Sequence, residues 1–305
     1  MDRIASRIPR RGLLAFGAGA ALTATVAAGG KSHAAGREDG EIFLRLAELE
    51  REHSARLGVF ARDTATGRTV QYKKNRRFPL CSVFKTLAAA AVLRDMDHHG
   101  EFLARRIRYA EGEVERAGYA PVTGKAENLA NGMSVAELCA AAVSESDSAA
   151  GNLLLEQLGG PSAVTRFCRS IGDGVTRLDR WEPELNAAET LLTDVTSPRA
   201  IGRTYGQLVL GKALDPRDRR RLTRWLLAST TGKEKLRAGL PAGWTVADKT
   251  GGGGPYGTNH DVGVAWPPNR PPIVLAIMSM HRNPKAAADN PLVAEAASLV
   301  AAELV

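Results

Sequence analysis

Strand-patterned segments occupy both ends of this chain, with a long helical stretch between them, and that order restricts the fold more than any other feature. Val59 and Ala61 alternate with Phe60 and Arg62, Thr64-Ala65-Thr66-Gly67 supplies a turn, and Val70 and Tyr72 resume the alternation. After residue 240 the pattern returns in Trp244 to Lys249, Asp261 to Trp266 and Ile273 to Met280, the last two joined by Pro267-Pro268-Asn269-Arg270. Residues 78–227 read as helical instead, through Phe84 to Leu93, Ser134 to Val143, Ala149 to Leu158 and Arg199 to Leu210, with no comparable strand runs. Ile42, Phe43, Leu46 and Leu49 predict an opening amphipathic helix, and Pro291 to Leu304 a closing one. The expectation is an α/β (α+β) fold: an antiparallel sheet from 36–77 and 228–305, flanked by helices, beside an all-α domain of 78–227. A site belongs in the cleft between them.

The first 34 residues stand apart. Basic residues precede the apolar stretch Gly12 to Ala28, and Ser32-His33-Ala34 suits a signal peptidase. Arg10-Arg11 before a Gly/Ala-rich core predicts twin-arginine export, with a membrane anchor as the rival reading. The formal charge of +8 falls to +4 without this segment, which holds five basic residues against Asp2 (8 − 4). No Lys/Arg run remains to track a phosphate backbone, so a nucleic-acid partner is not expected. Cys81, Cys139 and Cys168 form an odd set that implies no disulfide framework, and Cys81 reads as a small packed residue. The six histidines lack HxH or HExxH spacing and read as solvated or packed; no metal or cofactor is expected.

Four short motifs carry chemistry. Ser82-Val83-Phe84-Lys85 opens an alanine-rich helical run, so Ser82 and Lys85 are neighbours one turn apart, and a partly desolvated amine can activate a hydroxyl. SxxK alone arises by chance on the order of once in a chain of ordinary composition and this length. Ser146-Asp147-Ser148 offers a second hydroxyl for proton relay to a leaving nitrogen. Glu182-Pro183-Glu184-Leu185-Asn186 places a carboxylate and an amide four residues apart, able together to hold a water and take its proton. Lys249-Thr250-Gly251 closes a predicted strand, and its glycine lets ligand and backbone approach closely.

SxxK, an SDN-like triad, ExxLN and KTG in this order resemble the class A β-lactamases over about residues 40 to 305. The resemblance implies a β-lactamase/transpeptidase-like fold and a monomeric, exported serine hydrolase that opens β-lactam antibiotics, the partner expected here. Ser82 would be the nucleophile and Lys85 its nearest proton partner. The family leaves open whether Lys85, or Glu182 through water, is the acylation base. Glu182 and Asn186 would hydrolyse the acyl ester, and Ser146 would protonate the ring nitrogen. The N–H groups of Ser82 and Gly252 would form the oxyanion hole. Lys249, Thr250 and Gly251 would meet the antibiotic's carboxylate, Tyr119 would form a wall of the substrate pocket, and Arg180 with Asp194 would fix the base of the glutamate loop.

Four positions depart from the family pattern. Ser148 stands for the usual asparagine, Gly252 for Ser, Thr or Ala, and Asn259 for a carboxylate-binding arginine whose charge Lys235 is expected to supply. Gly253 stands where some relatives have a cysteine bridged to the residue before the nucleophile. These departures bear on substrate preference and leave the acyl-enzyme route untouched. A D,D-peptidase shares Ser82, Lys85 and the KTG element and lacks a deacylating glutamate. A β-lactam-sensing receptor would need a second long hydrophobic segment, which this chain does not have.

Overall fold

A computed structural model describes residues 30–187 and 191–305, with side chains from residue 40. The expected signal lies outside the described residues except for Gly30 to Ala34, whose backbone begins helix α1 (Gly30–Glu52). Residues up to Glu38 separate as one unit and Asp39–Val305 as another, described here by itself.

Strands β1 (Ala55–Asp63) and β2 (Thr69–Tyr72) form the expected hairpin, followed by the two-residue β3 (Phe78–Pro79). Helix α2 (Phe84–Ala91) follows, and a π-turn, Val92–Met96, continues it. Then come α3 (Glu101–Ala104), β4 (Arg106–Ile107), α4 (Glu111–Ala117), α5 (Ala126–Asn131), β5 (Met133–Ser134), α6 (Val135–Ser144), α7 (Ser148–Gln157) and α8 (Ser162–Ser170). The chain continues through β6 (Val195–Thr196), α9 (Pro198–Val209), α10 (Pro216–Leu227) and α11 (Leu236–Gly239). It ends with β7 (Thr245–Gly252), β8 (Asn259–Trp266), β9 (Ile273–His281) and α12 (Asn290–Leu304).

The antiparallel sheet has the order β2-β1-β9-β8-β7, so strands from both chain ends share it. Its centre is the β1–β9 pair, running in register from Ala55↔His281 to Asp63↔Ile273. One face packs on α1, α11 and α12 through residues such as Leu46, Leu57, Leu236, Ile277 and Val300. The other packs on the helical block through Phe84, Leu138, Ile201, Val264 and Met278. Because both faces are covered, β1, β8 and β9 are buried almost throughout.

Two expectations need correction. Phe43 was expected on the apolar face of α1 and is 46% exposed, resting on Tyr72 with ring centroids 5.0 Å apart. Ile42, Leu46 and Leu49 follow the 4-3 spacing of a helical stripe, and Phe43 falls outside it. The helical stretch also contains β3, β4, β5 and β6, two residues each and too short to show alternation.

Candidate active site

Ser82 lies in a 3-10 turn, Cys81–Val83, that runs directly into α2. Cys81 has φ 46°, a left-handed conformation that costs a non-glycine residue about 1–3 kcal/mol. Two clamps hold this turn: Leu80 N donates to Asp194 O at 2.6 Å, and the His260 ring meets Pro79 O at 2.9 Å.

One turn on, Lys85 is fully buried with its ammonium among four oxygens. Nζ lies 2.9 Å from Ser82 Oγ, 2.8 Å from Ser146 O, 3.1 Å from Ser148 Oγ and 3.0 Å from Glu182 Oε1. Gly151 of α7 makes room, since a Cβ there would stand 3.0 Å from Lys85 Cε. Ser82 Oγ is itself 3.4 Å from Glu182 Oε1.

Glu182 is 4% exposed and its main chain is pinned by Asn152, which donates to Glu182 O and accepts from Glu182 N, both at 2.9 Å. Asn186 Nδ2 donates to Glu182 Oε2 at 2.5 Å, while Asn186 Oδ1 is buried without a protein partner among the described residues. The loop is tied at its base by Arg180 Nε and Asp194 Oδ2, 2.6 Å apart. Asp194 Oδ1 also accepts from Asp179 N and Arg180 N.

Ser146 stands in the turn between α6 and α7, with φ 59°. Its hydroxyl accepts from Lys249 Nζ at 2.8 Å. Burial, and then the charges of Lys85 and Lys235, push the Lys249 ammonium well below its ordinary pKa, so its proton is easier to give up. Asp147 caps α7 through Ala150 N and holds the Tyr119 segment through Val122 N, Thr123 N and Thr123 Oγ1. Ser148 N reaches Tyr119 O at 2.7 Å.

These groups converge on a cleft of about 520 Å³. Ser82, Ser146, Ser148, Glu182 and Asn186 line it beside the half-exposed Tyr119. Thr231, Lys235, Thr250, Gly252 and Asn259 complete it. Thr250 Oγ1 meets Thr231 Oγ1 at 2.6 Å. Lys235 is half-buried, its pKa lowered by burial against the opposing pull of Asp261 and Asp248. Lys249 lies fully buried beneath, so this end of the cleft is cationic. Each residue singled out in the four motifs is therefore in one neighbourhood, and Cys81, Cys139 and Cys168 are buried free thiols.

Sequence reasoning missed Asn152, Asp147 and His260 as contributors. Asn152 acts through main-chain bonds to Glu182, which no local motif announces, and Asp147, inside a named motif, acts by tying α7 to Val122 and Thr123. His260 reads as merely packed, yet it bridges Pro79 O and Ser279 N, the latter at 3.2 Å to Nδ1. Burial holds its pKa down to about 4. Between the unfolded value near 6.5 and about 4 the unfolded chain binds the extra proton, so folding stability drops as pH falls through that window. The expected contribution is about 3 kcal/mol. Urea unfolding over this range should show the slope in the native chain and a flatter profile in His260→Gln.

The model of the Beta-lactamase enzyme family matches residues 42–304. A β-lactamase of Streptomyces lavendulae is 61% identical over 305 residues and covers 100% of both chains. One from Streptomyces fradiae is 62% identical over 302 residues, covering 99% of this chain and 98% of the relative. The solved β-lactamase from Streptomyces albus G superposes with a TM-score of 0.85 at 61% identity, covering 87% of this chain and 100% of that one. With the sheet built from both chain ends and full-length identity near 60%, the chain belongs to the β-lactamase enzyme family, in its class A, whose reaction is hydrolysis of the β-lactam amide bond.

Proposed function

We propose that this chain destroys penicillins and cephalosporins in two covalent steps at Ser82, conferring resistance to them. Ser82 Oγ attacks the lactam carbonyl as its proton passes through water to Glu182, or to Lys85 as the neutral amine after Lys85 has given its own proton to Glu182. The carbonyl oxygen, made anionic, is received by the N–H groups of Ser82 and Gly252, each worth roughly 3 to 4 kcal/mol of barrier in comparable hydrolases. The C–N bond then breaks while the Ser146 hydroxyl gives its proton to nitrogen and is resupplied by the Lys249 ammonium 2.8 Å away. Lys249, Lys235 and Thr250 attract the antibiotic's carboxylate, and Tyr119 walls the pocket.

Hydrolysis of the ester needs a base that activates water. Glu182 takes a proton from a water whose other hydrogen bond goes to Asn186 Oδ1, the buried acceptor without a partner among the described residues; the water oxygen bonds to the acyl carbon, the bond to Ser82 Oγ breaks, and the proton passes to Oγ. Arg180, Asp194 and Asn152 position Glu182 and do not touch substrate. The observation that carries this reading is a carboxylate 3.4 Å from the nucleophile oxygen and 3.0 Å from its amine neighbour. A D,D-peptidase would have no use for it.

The reading includes export by the twin-arginine segment 1–34, a monomeric mature protein, and a division into 36–77 with 228–305 against 78–227. Among the described residues no helix is long and apolar enough to cross a membrane. The test is steady-state hydrolysis of nitrocefin and benzylpenicillin by the purified chain. Many turnovers per molecule are expected; stoichiometric labelling without turnover would overturn the reading.

A further inference from the structure

A second hollow, of about 720 Å³, lies between α9, the segment 171–175 and the strands β1 and β9, and shares no lining residue with the cleft at Ser82. Its floor is apolar, made by Phe60, Ile171, Leu210 and Val274. Three arginines line it: Arg62 from β1, and Arg199 and Arg203 from α9. Arg199 and Arg203 stand four residues apart on one helix, a like-charge pair that destabilises the free helix. None of the three side chains has a hydrogen bond or ion pair among the described residues.

The lining holds one acid, Asp173, so its formal charge is 3 − 1 = +2. That acid is already committed. Oδ1 accepts from Val175 N and Thr176 N at 2.9 Å each, and Oδ2 accepts from Thr176 Oγ1 at 2.5 Å and Thr204 Oγ1 at 2.9 Å. Gly172 and Gly174 leave one part of the lining without side chains. At Gly174 a Cβ would meet nothing within 4 Å.

We propose that this hollow is a second binding site, for a small anionic amphiphile whose carboxylate or sulfonate pairs with Arg199, Arg203 and Arg62 and whose apolar body covers Phe60 and Val274. Planar guanidinium forks suit such head groups because they donate two parallel hydrogen bonds. An apolar floor with convergent polar groups is the general form of a small-molecule site. The inference is independent of the reaction at Ser82.

The test is calorimetric titration of the full chain with dodecanoate below its micellar concentration, beside dodecyltrimethylammonium as the cation of matched tail. One saturable site for dodecanoate and none for the cation are expected. Arg199→Glu/Arg203→Glu and Gly174→Phe should each weaken dodecanoate binding by at least about tenfold, equivalent to about 1.4 kcal/mol. Their nitrocefin turnover should stay within about twofold of the parent, since none of these residues lies in the cleft. Equal binding of anion and cation, no saturable dodecanoate site, or unchanged affinity in both variants would overturn the proposal. The comparison of the two ligands on the unmutated chain decides it even where a variant fails to fold.

Discussion

Glu182→Ala is expected to turn this enzyme into a trap that keeps its substrate. Ser82, Lys85 and the N–H groups of the oxyanion hole remain, so benzylpenicillin still acylates, but the base that deprotonates the hydrolytic water is gone. General-base assistance contributes roughly 10² to 10⁴ in rate, and turnover should fall by about that factor. Ring opening releases no leaving group. Intact-mass spectrometry should therefore show the protein heavier by the whole antibiotic, and a digest should place the addition on Ser82. Unmodified protein together with turnover at the parent rate would exclude Glu182 from deacylation. The substitution also leaves Lys85 buried without its carboxylate, and losing one partner of a buried pair costs about 3–5 kcal/mol. Glu182→Gln keeps the shape and should trap the same ester with a smaller loss of melting temperature.

Ser82→Ala should produce the opposite signature. With no oxygen to attack, no adduct forms at any drug concentration, and kcat/KM should fall by on the order of 10⁴ to 10⁶. That factor corresponds to about 5 to 8 kcal/mol of barrier. Noncovalent binding should persist, because Lys249, Lys235 and Thr250 are untouched; equilibrium dialysis with benzylpenicillin measures it. Stability should change little, since Lys85 keeps Ser146 O, Ser148 Oγ and Glu182 around its ammonium. An adduct on another residue of this variant would refute Ser82 as nucleophile.

Much of this site was legible in the sequence because its chemistry sits in short motifs. Ser82 and Lys85 share a helix turn, Glu182 and Asn186 share a loop, and Lys249 and Thr250 share a strand, so local spacing already implies proximity. The sheet was legible for a similar reason: β1 and β2 announce themselves by alternation about a turn, and β7, β8 and β9 by strand-patterned segments after residue 240. Asn152 was not legible, since its contribution is a pair of main-chain bonds thirty residues away that any asparagine could make. His260 was hidden by its neutral, packed state, and the hollow beside α9 because its lining comes from segments far apart in the chain. The exposure of Phe43 turned on a single step off the helical stripe, below what periodicity resolves.

The pairing of β1 with β9 sets the time at which this molecule can exist. Ala55 meets His281 across 226 intervening steps of chain, and the seam between them is the middle of the sheet. A nascent polypeptide still emerging from the ribosome has no partner for its first hairpin until the last strand is made. Synthesis at about 5–20 residues per second therefore leaves β1 waiting for many seconds with an apolar edge uncovered. Closure of so long a loop is slow by contact order. The five-stranded sheet is therefore complete only after β9 has been made.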